Sequence, residues 1–241
     1  RWLVQMPQLE SLSLKYRHSL RSYGLQLDSL TNLRHLYIKG STSVDCHIPA
    51  LPNLIHLDLQ ACSVDSTSAF IPNLVQMTAL ESLAIYKVDD YGLLAQYLPT
   101  QLRSLTLSAR GTLLPESSRR LCLALKSHTN LTHLSESPFN IQDRELQLLW
   151  LNWYANCAVT ELDCSKENSG ESVIWPETIP PMKHLRSLHC SHYPGWESMV
   201  RQHTQLTRLS LDGCTLKPLN VLQKLAQLES LHITEPVPAP F

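Results

Sequence analysis

The densest run of metal-capable side chains is His184, His189, Cys190 and His192. Imidazole and thiolate groups bind zinc well, provided that they converge on one point. Neighbouring residues of an extended strand face opposite ways, so His189 and Cys190 cannot share one ion. No metal site is expected. Asp89 and Asp90 form a possible carboxylate pair, but their place between Tyr86 and Tyr91 reads as a solvated turn. Serine, histidine and aspartate are plentiful, which leaves a nucleophile triad open by composition alone. The chain nevertheless contains no G-x-S-x-G elbow, no phosphate-binding glycine loop and no H-E-x-x-H. The expectation is a non-enzyme that needs no cofactor.

Twenty basic residues against 21 acidic ones leave a net charge of −1 over 241 residues. That balance argues against a nucleic-acid backbone or an anionic membrane surface as the main partner. Charged residues make up 17% and hydrophobic residues 43%, a composition that can bury a core rather than stay disordered. The longest apolar stretches are a few residues, far short of the roughly 20 needed to span a bilayer. Leucine stands out, with 46 residues.

The leucines hold a register. The pattern L-x-x-L-x-L recurs as Leu9-Leu12-Leu14, Leu33-Leu36-Ile38, Leu54-Leu57-Leu59, Leu80-Leu83-Ile85 and Leu102-Leu105-Leu107. It continues as Leu131-Leu134-Glu136, Val159-Leu162-Cys164, Leu185-Leu188-Cys190, Leu206-Leu209-Leu211 and Leu228-Leu231-Ile233. Only Glu136, Cys164 and Cys190 depart from Leu, Ile or Val. Polar dipeptides precede several copies: Thr31-Asn32, Pro52-Asn53, Thr100-Gln101, Thr129-Asn130 and Thr204-Gln205. A carboxylate at a buried step would cost several kcal/mol, so Glu136 is expected to turn to solvent where Pro138 ends the strand.

This sequence resembles the leucine-rich-repeat family over nearly its whole length. The resemblance implies an α/β fold: a curved solenoid, or horseshoe, of about ten repeats. Parallel strands would line its concave face, with mixed helices and turns on the convex face. One repeat cannot bury its own leucines, but a stacked neighbour can, so the core forms only as a ladder. Residues 1–234 form the expected repeat domain, and 235–241 a Pro-rich exit segment. The chain opens on a repeat without an initiating Met, which suggests a segment of a longer polypeptide.

Two links are long enough for helices. Glu116 to His128 places Leu121 and Leu125 at i and i+4 after Pro115. A second helix is expected from an Asn140 cap to about Tyr154, with Leu146, Leu149, Trp150 and Trp153 packing inward. These repeats look like the ribonuclease-inhibitor-like branch of the family, whereas the shorter links depart from it. Seven cysteines, an odd number without paired terminal clusters, point to reduced thiols and an intracellular, cytoplasmic setting. Cys62 and Cys214 fall where intracellular members place Asn or Cys to satisfy backbone groups. The sequon Asn130-Leu-Thr132 argues weakly the other way.

What remains is recognition by the residues between the leucines. The early strands offer Ser11, Ser13, Lys15, His35, Tyr37, Lys39, His56, Asp58, Gln60, Ser82 and Tyr86. The middle offers Ser104, Thr106, Ser108, His133, Ser135 and Ser137, and the later end Glu161, Asp163, His189, Arg208, Asp212, His232 and Thr234. The expected partner-binding set is Lys15, His35, Tyr37, Lys39, His56, Asp58, Gln60, Tyr86, Glu161, Asp163, Arg208 and Asp212. Docking is expected on the early third, through Tyr37, Lys39, His56 and Tyr86. The resemblance implies a non-catalytic module that binds a protein ligand. It would belong to a larger intracellular receptor or adaptor, of the F-box ubiquitin-ligase or nucleotide-binding immune-receptor (NLR) type in innate immunity. A microbial effector or a structural assembly subunit is the alternative.

Overall fold

A computed structural model describes residues 2–15, 27–40, 48–60, 70–88, 90–109, 115–135, 143–164, 180–191, 195–214 and 219–234. The chain divides into two compact units, Arg1–Leu131 and Thr132–Phe241. Both are built from short parallel strands taken in sequence order, so the protein is α/β.

Unit 1 contains β1 (Ser11–Lys15), β2 (His35–Lys39), β3 (His56–Gln60), β4 (Ser82–Val88) and β5 (Ser104–Ala109). Leu12, Leu36, Leu57, Leu83 and Leu105 stand opposite one another in register; two residues on, so do Leu14, Ile38, Leu59, Ile85 and Leu107. The first leucine of each motif precedes the strand, and Leu33, Leu54, Leu80 and Leu102 are fully buried there. Each such side chain contributes about 1.5–3 kcal/mol, which together offsets much of the ordering entropy. β4 carries an irregularity between Tyr86 and Val88.

The polar dipeptides have a structural task. The amide of Asn32 donates to the Pro7 carbonyl, Asn53 to Thr31 and Gln101 to Met77, at 2.9–3.1 Å. Backbone carbonyls complete the link, since Glu10 accepts from both Arg34 and His35, and Arg34 from both Ile55 and His56. Each turn is thus tied to the one before it, which keeps adjacent strands in step.

Among the described residues, the α-helices of unit 1 are α1 (Tyr91–Ala95) and α2 (Pro115–Ala124). α2 buries Leu121 as its spacing requires, and the chain then tightens into a 3₁₀ turn, Leu125–Ser127, so the expected helix to His128 is shorter than drawn. Asp90 corrects the solvated-turn reading. Its carboxylate caps α1, accepting from Gly92 N at 2.7 Å and Leu93 N at 3.3 Å, and from the Ser117 hydroxyl at 3.0 Å. Gly92 sits where a Cβ would come within 3.0 Å of Arg120 Cδ, so the small residue permits this close packing. Asp89 lies outside the described residues.

Unit 2 contains β6 (His133–Ser135), β7 (Glu161–Cys164), β8 (Ser187–Ser191), β9 (Arg208–Asp212) and β10 (Ser230–Thr234). Leu162, Leu188, Leu209 and Leu231 share one register row, and Cys164, Cys190, Leu211 and Ile233 the next. α3 (Arg144–Asn156) buries Leu146, Trp150, Leu151, Trp153 and Tyr154, while Leu149 is only partly covered. Its cap is Asp143, whose carboxylate accepts from Glu145 N and Leu146 N. The helix therefore starts later than an Asn140 cap would place it; Asn140, Glu136, Pro138 and the 235–241 tail lie outside the described residues. A further helix, α4 (Trp196–Gln202), lies in one of the shorter links, with Trp196, Met199 and Val200 buried at helical spacing. Among the described residues, no helix is long and apolar enough to cross a membrane.

Candidate functional site

The pleat that sends leucines into the core sends their neighbours to the opposite face. On unit 1 this exposed face consists of register rows. His35 and His56 meet across β2 and β3 and stack, with ring centroids 4.8 Å apart and planes 15° from parallel. The next row pairs Tyr37 with Asp58 and Ala84. Tyr37 donates to Gln60 Oε1 at 3.0 Å, and the Gln60 amide donates to Asp58 Oδ2 at 3.3 Å. Asp58 Oδ1 is buried and, among the described residues, has no hydrogen-bond partner.

Electrostatics follow from that crowding. Burial pushes the Asp58 carboxyl above its usual range, against the opposing influence of the Gln60 hydrogen bond and the Lys39 charge. Burial also raises the Tyr86 phenol, with smaller contributions from Asp58 and Tyr37. Tyr37, Lys39, Asp58, Gln60 and Tyr86 therefore make one interacting patch. Lys15 stands apart, exposed at the end of β1.

Unit 2 presents a different arrangement, a cavity of about 360 Å³ over the outer face of β6 to β10. His133, Glu161, Ser187 and Arg208 occupy one register level. Glu161 is their hub: Oε2 lies 2.8 Å from His133 Nδ1, and Oε1 accepts from the Arg208 guanidinium, which reaches over β8. One level on, Asp163, His189 and Ser210 stand side by side, with His189 Nδ1 4.0 Å from Asp163 Oδ1. His232 and Ser230 close the lining. Asp212 does not join this cavity. It sits at the strand ends, where it accepts from the Thr234 hydroxyl.

No family model and no curated protein matches this chain. The residues themselves must carry the reading.

The expected set thus resolves into the Tyr37–Asp58–Gln60–Tyr86 patch with Lys39, the His35–His56 stack, the Glu161–Asp163–Arg208 cavity, and Lys15 and Asp212 as outliers. The docking set omits His133, His189 and His232, although strand parity already turned all three outward. What it lacked was the register that brings His133 and Arg208 onto the same carboxylate. His189 does face out while Cys190 is fully buried, so they cannot ligate one ion. His192 lies outside the described residues, and among those described no group of three or more His, Cys, Asp and Glu side chains could hold a metal. Asp163, His189 and Ser210 have the order of a nucleophile triad. At 4.0 Å the Asp163–His189 contact is longer than a hydrogen bond, and among the described residues none joins Ser210 to His189.

Proposed function

We propose that this chain is a leucine-rich-repeat recognition module that binds a protein ligand on the outward face of its strands. In this reading it is the non-catalytic interaction region of a larger intracellular receptor or adaptor, of the F-box or nucleotide-binding immune-receptor type. The observation that carries the reading is the division of labour on every paired strand. One set of alternate residues is spent on the leucine ladder, and the other set presents Tyr, His, Arg and carboxylate side chains in continuous rows. Tyr and Arg dominate the energetics of interfaces when a partner covers them, and those rows offer both. Cys122, Cys157 and Cys190 are unbridged thiols, which suits a reducing compartment. Cys214 donates its thiol to the Cys190 carbonyl at 3.5 Å, a backbone-satisfying task that also fits the intracellular repeat type.

Affinity capture with the full chain, followed by mass spectrometry, identifies the partner. Substitution then locates its footprint. Tyr37→Ala with Tyr86→Ala is expected to weaken binding by about a hundredfold, the loss of two buried aromatic anchors. Unchanged affinity in that double variant removes the early strands as the docking place.

A further inference from the structure

The hydrogen-bonding inventory of the unit 2 cavity is lopsided. Both Glu161 oxygens are already engaged, by Arg208 and by His133. Glu161 is therefore spoken for within the wall itself, while Asp163 stands 4.0 Å from His189 Nδ1, beyond hydrogen-bond length. What the wall adds is donors: the remaining guanidinium N–H groups of Arg208, the hydroxyls of Ser187, Ser210 and Ser230, and, on protonated rings only, the second ring nitrogens of His133 and His189 and both nitrogens of His232. A wall with surplus donors is complementary to an occupant rich in acceptors.

Size and charge narrow the occupant. The lining spreads over five strands spaced about 4.8 Å apart, so it is roughly as wide as six extended residues are long. That exceeds any single carboxylate or inorganic anion. Charge depends on the three histidines. With neutral imidazoles, two carboxylates face one guanidinium and the cavity is negative by one charge. Imidazoles ordinarily gain their proton between pH 8 and 5, and full protonation leaves the cavity positive by two charges.

We propose that this cavity is a proton-sensitive acceptor site for an acidic peptide segment, gripping carboxylates through Arg208, His133, His189 and His232. The proposal rests on the recognition reading above and names the chemistry of the partner. The other charged groups nearby do not reverse the sign. Asp212 on β9 is engaged with Thr234, and Arg186 and Glu229 are exposed just before β8 and β10. His184 lies on the exposed turn before β8 and does not line the cavity.

The test uses the full chain and a fluorescently labelled hexaglutamate, followed by anisotropy at low salt. Glutamate stays ionised at about pH 5.5 and about pH 7.5, so a change in affinity between them reports on the protein and not on the peptide. Binding is expected to be about tenfold tighter at the lower pH. The gain should vanish in a His133→Gln, His189→Gln, His232→Gln variant and shrink in each single variant. It should persist in Tyr37→Phe with Tyr86→Phe, and Arg208→Gln should weaken binding at both pH values. Equal affinity at the two pH values, or a gain that survives the triple substitution, overturns the proposal. So does a hexathymidine oligonucleotide that binds more tightly than the peptide. A protein partner that still docks on the strand face while hexaglutamate does not would remove this site alone and leave the module reading standing.

Discussion

Cys157 is half-buried, and its thiol donates to the Tyr154 carbonyl at 3.3 Å. Burial is the dominant influence on it and pushes its pKa up to about 11, outweighing the backbone hydrogen bonds that lower it. Cys122 is fully covered and rises to about 12, with Lys126 only a small counterweight. The thiolate is the nucleophile, so near pH 8 Cys157 should be alkylated by iodoacetamide roughly a hundredfold more slowly than an ordinary cysteine. Peptide mass spectrometry over a time course reads this directly; labelling of Cys157 at the rate of free cysteine would sink it. At this scale the sequence was informative about direction but not about company. Alternation along a strand is enough to turn His133, Glu161 and Arg208 outward. That one carboxylate serves both of the others depends on a contact made over an intervening strand, which no local pattern encodes.

The strands owe their stability to position within the ladder, not to leucine as such. Leu57 lies between Leu36 and Leu83 in register and is fully buried, whereas Leu231 on the last strand is 46% exposed. Leu57→Ala should therefore cost about 2–5 kcal/mol, through lost transfer energy and a residual cavity. Leu231→Ala should cost less than about 1 kcal/mol. Urea denaturation of the two variants separates them, and equal losses would mean that the ladder is not the cooperative core. Strand positions were legible because a period of two and a fixed leucine spacing specify them together. Helix starts were less so. Asn140, Asp143 and Asp90 carry the same short acceptor side chain that suits a turn or a cap, and only tertiary packing decides which is used. α4 was present in the spacing of Trp196, Met199 and Val200, but seven residues give too short a periodic signal to stand out.

Across the molecule the same device recurs in both units. The sequence His-Thr-Asn-Leu at 128–131 and His-Thr-Gln-Leu at 203–206 places a buried histidine just before the leucine that opens a ladder step. His128 Nδ1 lies 3.1 Å from the Ala124 carbonyl, and His203 Nδ1 lies 2.6 Å from that of Met199, so each ring closes off the helical turn preceding it. In unit 2 the other nitrogen, His203 Nε2, accepts the Met182 N–H at 2.9 Å. That acceptor exists only on a neutral imidazole. Burial accordingly lowers the His203 pKa, against the Met199 bond that favours the charged ring. Because the folded value is depressed, the stabilisation is complete above the unfolded imidazole value of about 6.5, and it is lost as pH falls through the folded value. Protonation strands a buried N–H against the Met182 amide, which is part of why the charged ring is disfavoured. A His203→Gln variant keeps an acceptor that does not titrate. It should be less stable than the parent at neutral pH, and the gap should narrow in acid. Urea denaturation of both proteins over that range isolates His203 from the other histidines they share, and a gap that stays constant or widens would show that this ring is not what acid attacks.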